Sequence, residues 1–195
     1  MSVDTTEINR SSGLFGEASE LWLFGYGSLV WRADFDYSER RPARLRDWSR
    51  RFWQGSHDHR GTTQAPGRVL TLVAQPGAVC DGVAYRITSS VLDALDLREK
   101  NGYLRFQAPL EFDEGEVVEG LVYIATEANA AWLGAAPEDA IARHVADAVG
   151  PSGRNRDYVL HLADALRDLG AVDTHVFAVE RHLRALDGDR AQDAP

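Results

Sequence analysis

The sequence predicts an α+β fold, a sheet or small barrel partly covered by helices. Two observations carry the prediction. The first half of the chain breaks into short β-favouring runs separated by glycine- and proline-containing turns. The second half places apolar residues at three- and four-residue intervals, the period of helices packed on one face. A third observation bounds the size: 195 residues, 44% hydrophobic and 26% charged, suit a full core without disulfides. We expect one domain over residues 21–187, a flexible leader over 1–20 and a flexible polar tail over 188–195.

The elements follow in order. Leu21–Gly25 is short, apolar and aromatic, and ends in a glycine turn. Arg44–Trp53 mixes arginines with Leu45, Trp48, Phe52 and Trp53. Alternation puts Leu45, Asp47 and Ser49 on one face and Arg44, Arg46 and Trp48 on the other, which is not a clean core pattern. Some of these arginines are expected to pair with the abundant carboxylates. Val69–Ala74 follows the turn signal Pro66-Gly67, and Val79–Ile87 carries Val83, Tyr85 and Ile87 in strict alternation. SSVLDALDL then predicts a helix, with Ser89 or Ser90 as its cap and Gly102 closing it after Asn101. Leu104–Phe112 and Val117–Ala125 return to strand around the turn DEGE. A helix begins near Pro137, taken as a first-turn proline, and carries Ile141, Val145 and Val149. GPSG at 150–153 interrupts it. A second helix carries Tyr158, Val159, Leu162, Leu166 and Leu169 to Gly170, and a third spans about Thr174–Leu186.

Charge and cysteine count exclude several classes. A net charge of −9 argues against a nucleic-acid partner, whose site would be basic. Apolar runs fall short of a membrane span, and no membrane partner is expected. The N-terminus lacks the basic start and apolar stretch of a signal peptide. The single cysteine, Cys80, cannot form an internal disulfide and suits a reducing compartment, so a cytoplasmic location is expected.

Glu99, within LREKNGY, is the first candidate for chemistry. Counting by fours, Val91 and Leu95 lead to Glu99, so a carboxylate falls on the core-facing side of a last helical turn. Burial and the helix dipole both disfavour its charge, which moves its pKa towards the range useful for proton transfer. The alternative is a frayed turn with Glu99 in water. FGYGSLVW, residues 24–31, is the second candidate. A buried strand enters a turn with Gly25, Gly27 and Ser28, whose successive N–H groups can form an anion-binding concavity. The motif lacks the third glycine of a dinucleotide fingerprint, and Tyr26 replaces the first glycine of a serine-hydrolase elbow. An ordinary strand-to-loop turn is the competing reading.

HDHRG, residues 57–61, alternates His57 and His59 around Asp58, but no further ligand spacing completes a metal set, and no metal is expected. Cys80 lies in a strand-like run and reads as a small hydrophobe. GPSGRNRDY, residues 150–158, is a glycine-rich entry to a helix that Ser152 or Asn155 could cap, with Tyr158 in its first turn.

Taken together, the strings FGYGSLVW, SRRFWQGSHDHRGT, PGRVLTLV, GVAYRI, LREKNGY and GPSGRNRDYV resemble, in order and spacing, the ChaC family of glutathione-specific γ-glutamylcyclotransferases. The resemblance runs from about Leu21 to the last helix. Departures are His57, the leader and tail, and Asn101, which replaces a usual glycine at a cap position where asparagine tolerates left-handed backbone. The resemblance implies a γ-glutamylcyclotransferase-like fold, a small mixed β-barrel flanked by helices. It implies conversion of glutathione into 5-oxoproline and cysteinylglycine without cofactor or metal. It places the catalytic glutamate at Glu99. It maps the substrate loop onto Leu23, Phe24, Gly25, Tyr26, Gly27, Ser28 and Leu29. Tyr103, Arg68 and Tyr158 are further substrate-binding candidates. Cyclotransfer on other γ-glutamyl amines or amino acids, or non-catalytic γ-glutamyl sensing, are the alternatives.

Overall fold

The computed structural model describes residues 4–15 and 19–192. Five strands close a barrel: β1 (Glu20–Gly25), β2 (Glu39–Ser56), β3 (Gly67–Thr88), β4 (Tyr103–Phe112) and β5 (Val117–Ala125). The order is β1-β3-β2-β4-β5, and β5 meets β1 in parallel while the other neighbours run antiparallel. The helices are α1 (Thr6–Ser11), α2 (Leu92–Arg98), α3 (Glu138–Asp147), α4 (Asn155–Asp168) and α5 (Thr174–Gln192). The expected mixed barrel with flanking helices is therefore observed. No helix among the described residues is long and apolar enough to cross a membrane.

The β2–β3 hairpin explains why its sequence pattern is unclear. Asp47 adopts a positive φ of 63°, and the register shifts between Arg46 and Trp48. Its carboxylate accepts the Gly77 N–H at 2.7 Å. Such a bulge inverts the inward–outward parity of the strand. Before it, Ala43 and Leu45 are buried; beyond it, Arg50, Phe52, Gln54 and Ser56 are. Arg50 thus enters the interior, pairs with Asp173 at 3.3 Å and donates to the Cys80 sulfur at 3.1 Å. Arg44 pairs at the surface with Asp81 and Asp113, and Arg46 with Glu111. The runs 69–74 and 79–87 are two halves of one strand, β3, opposite this bulge.

Five local expectations need correction. Pro137 precedes α3 as its cap rather than entering the first turn, and Val149 lies in a two-stranded hairpin (Val149–Gly150 with Gly153–Arg154), 54% exposed. Neither Ser89 nor Ser90 caps α2: a 3-10 turn, Ser89–Val91, leads into it from Thr88. Neither Ser152 nor Asn155 caps α4. Asn155 is instead wholly buried, accepting from the Arg68 N–H at 2.6 Å and donating to the Arg68 carbonyl at 2.8 Å. The left-handed residue after α2 is Gly102, φ +89°, not Asn101.

The leader expected to be flexible is tied down where it is described. The Thr5 N–H donates to the Lys100 carbonyl at 2.9 Å, and its hydroxyl to the Tyr103 carbonyl at 2.8 Å. The buried Asn9 side chain donates to the Tyr103 carbonyl (3.1 Å) and accepts from the Arg105 N–H (3.0 Å). It satisfies the edge of β4 as a neighbouring strand would. Polar side chains do this work while Ile8 is exposed, so hydrophobic periodicity gives no signal. Asn9→Ala takes the acceptor from the Arg105 N–H, while the Tyr103 carbonyl keeps the Thr5 hydroxyl, and is expected to destabilise by about 1–3 kcal/mol in urea titration. In the tail, α5 runs on through Gln192. Residues 1–3 and 16–18 of the expected leader, and 193–195 of the tail, lie outside the described residues.

Candidate active site

The end of β1 sets the position of the site. β1 runs between β3 and β5, so its last residues are fixed on both edges. Adjacent strand residues face opposite sides: Leu23 packs into the core, whereas Phe24 faces the cavity described below. At Gly25 the chain folds back on itself. A Cβ there would stand 2.4 Å from the Leu29 Cβ, so this turn requires glycine. A 3-10 turn, Ser28–Val30, follows, closed by Val30 N–H to Gly27 carbonyl at 2.9 Å. Tyr26 anchors the turn by donating to the Tyr123 carbonyl at 2.7 Å.

The second wall comes from the end of α2. Leu92 and Leu95 bury the helix on the core. The Glu99 N–H closes the last turn onto the Leu95 carbonyl at 2.8 Å, which places Glu99 on the inner face as its spacing predicts. Gly102 then turns the chain into β4. A Cβ there would meet the Asn129 side chain at 2.7 Å. Tyr103 ties this corner to the facing strand by donating to the Leu70 carbonyl at 2.5 Å.

Between these walls lies a cavity of about 750 Å³, within the range of small-molecule sites. Phe24 to Leu29, Glu99, Tyr103 and Tyr158 line it, together with Arg98, Asp34, Asp58, His59 and Arg60. Tyr158, from the first turn of α4, overhangs the glycine turn: a methyl on Gly27 would stand 3.0 Å from its hydroxyl. Arg60 lies 5.5 Å from the centroid of the Tyr158 ring and donates to the Ser152 carbonyl at 2.7 Å. His59 meets the Ser152 hydroxyl at 3.1 Å.

Two of the predicted site residues are placed elsewhere. Leu23 is fully buried on the opposite face of β1, and Arg68 is not on the cavity wall. The Arg68 guanidinium donates to the carbonyls of Phe52 (2.9 Å) and Gly134 (3.0 Å), which makes it a strut for the barrel wall. HDHRG is brought to the cavity through Asp58, His59 and Arg60, and the described residues contain no cluster able to hold a metal ion.

The electrostatics single out Glu99. Its side chain keeps 20% of its surface, turned towards the cavity. Burial raises its pKa above the ordinary glutamate value; Arg98 and His59 oppose the rise, and Asp34 and Asp58 add to it. Arg98 Nε stands 3.2 Å from Glu99 Oε1. Burial also raises Tyr26 and Tyr103 well above the usual phenol value, and Tyr158 to about 12. The three phenols therefore remain neutral hydrogen-bonding groups around Glu99, a carboxylate that can take up a proton. Arg98 and Asp34 escape a reading by spacing, since their positions depend on how α2 docks against the glycine turn.

The comparisons agree with this fold. The family model described as ChaC-like protein matches residues 21–186. γ-Glutamylcyclotransferase 2-3 of Arabidopsis thaliana is 42% identical over 176 residues, covering 84% of this chain and 88% of that protein. The human glutathione-specific γ-glutamylcyclotransferase 1 is 41% identical over 174 residues, covering 84% and 78% respectively. A crystal structure of a γ-glutamylcyclotransferase specific to glutathione from yeast superposes with a TM-score of 0.81 at 28% identity, covering 86% of this chain and 96% of the yeast chain. With the family model running from β1 into α5, this chain belongs to the ChaC-like protein family.

Proposed function

We propose that this chain is a glutathione-specific γ-glutamylcyclotransferase that releases 5-oxoproline and cysteinylglycine. One observation carries the mechanism: a partly desolvated carboxylate with a raised pKa, Glu99, faces a cavity beside a glycine turn. The substrate's α-amine attacks its own γ-carbonyl carbon. A new C–N bond closes the five-membered lactam, and the amide bond to cysteine breaks. Glu99 accepts the proton from the amine and returns a proton to the departing cysteinyl nitrogen. A raised pKa suits one carboxylate to both transfers.

Folding the γ-glutamyl arm supplies much of the acceleration, because the attack is intramolecular. The turn Tyr26–Leu29 is suited to hold the γ-glutamyl group and the developing oxyanion through its N–H groups. Tyr103 and Tyr158 frame the arm. Arg68, committed to two carbonyls, supports the wall and is not proposed as a ligand. The step needs no cofactor. The domain proposed for this activity spans residues 21–187, and its place is the cytoplasm, where the substrate thiol stays reduced.

Specificity is tested by offering glutathione and γ-glutamyl-alanine in parallel. Glutathione is expected to turn over at least about tenfold more efficiently, because the rest of the cavity binds the cysteinylglycine end. Equal or reversed efficiencies would move the activity to other γ-glutamyl amines. Binding of both without 5-oxoproline would make the chain a sensor.

A further inference from the structure

Arg98 occupies an unusual position for a residue next to a general base. Its Nε faces Glu99 Oε1 at 3.2 Å, its Nη2 donates to the Ser28 hydroxyl at 2.9 Å, and its Nη1 pairs with Asp34. One guanidinium thus joins the end of α2, the glycine turn and the loop beyond it. The three partners lie in the cavity wall with it. Arginine suits this role because its planar fork presents several donors in fixed geometry.

We propose that Arg98 and Asp34 form a positioning pair for the reaction: Arg98 orients Glu99 against the Ser28 turn, and Asp34 limits how strongly Arg98 holds it. The inference rests on Glu99 being the base. Without Arg98, a partly desolvated carboxylate has no fixed direction. With Arg98 committed wholly to Glu99, the carboxylate would be a poor proton acceptor. Sharing the guanidinium with Asp34 gives orientation while leaving basicity. Proton uptake by Glu99 then leaves the cation paired with Asp34.

The other groups that face Glu99 are constant across the test. Asp58 and His59 come from the loop after β2. The phenols of Tyr26, Tyr103 and Tyr158 come from the glycine turn, β4 and α4. Only Arg98 and Asp34 are altered, and they act with opposite sign.

The test is the pH dependence of kcat/KM for glutathione in Arg98→Gln, Arg98→Lys and Asp34→Asn, with Glu99→Gln alongside. Arg98→Gln should move the acid limb to higher pH and lower turnover by roughly 10- to 100-fold, as expected for a misoriented catalytic group. Asp34→Asn should move the acid limb to lower pH. Arg98→Lys should return the limb towards wild type, since the charge is kept, while turnover stays reduced because the fork to Ser28 is lost. Asp34 is 49% exposed, so its variant folds even if the Arg98 variants do not. Unmoved limbs, or limbs that move the same way in Arg98→Gln and Asp34→Asn, would overturn the pair. If the limbs stay put and Glu99→Gln is inactive, Glu99 stands as the base and only the pair is lost. A folded, active Glu99→Gln would instead sink the base itself.

Discussion

Glu99→Gln should lower kcat by about 10²–10⁴-fold and leave the protein folded. Glutamine matches the shape of glutamate but cannot take a proton from the α-amine or return one to the leaving nitrogen. The stability of the variant follows from the raised pKa. A carboxyl whose folded value exceeds its unfolded value binds protons more readily in the fold. Stability is then greatest below the unfolded value and falls as pH rises through the folded one. At neutral pH wild type therefore carries the cost of a partly buried charge that the neutral glutamine side chain avoids. Glu99→Gln should melt at the same temperature as wild type or higher at pH 7, and this advantage should vanish in mild acid. Thermal melts at the two pH values, beside steady-state kinetics, check both halves. A variant that is dead and strongly destabilised would point to a structural glutamate.

Asp96→Ala should destabilise the fold by about 3–5 kcal/mol, the range for removing one partner of a buried ion pair. Asp96 is fully buried on α2, three residues before Glu99. It accepts from Arg105 Nε at 2.9 Å and Nη2 at 2.7 Å, and from the Tyr123 hydroxyl at 2.7 Å. Its loss leaves the Arg105 charge and the Tyr123 hydroxyl buried without it. The Arg105 Nη1 also donates to the Leu14 carbonyl at 3.0 Å, so the network reaches the leader. Replacing both partners with apolar residues, Asp96→Leu with Arg105→Met, should cost far less than either single change, since no charge is stranded. Urea titrations of the three variants decide it. A loss below about 1 kcal/mol for Asp96→Ala would show the pair contributes little.

Much of this molecule was legible in its residues. β1, β4 and β5 announce themselves by short apolar runs bounded by turns, and Glu99 by its four-residue spacing from Leu95. The β2–β3 hairpin resists reading because its register shifts twice, at the left-handed Asp47, where the buried face changes parity, and again between Arg51 and Gln54. α1 has no apolar stripe to detect; its hold depends on Thr5 and Asn9 finding backbone groups ninety-four or more residues away. Arg68 illustrates the converse. Its position in PGRVLTLV suggests a substrate ligand, but its guanidinium is spent on the barrel wall. Asp58, His59 and Arg60 reach the cavity because a loop delivers them there, and Arg98 and Asp34 meet only after α2 docks. Local spacing reports local geometry; charges joined by tertiary contact leave no periodic trace.

The most direct test is to incubate the purified chain with reduced glutathione in chelator and follow 5-oxoproline and cysteinylglycine together. Both products should accumulate in equal amounts with wild type and fail to appear with Glu99→Gln. Glutathione left intact by a folded wild-type protein, or 5-oxoproline formed equally by Glu99→Gln, would contradict the account.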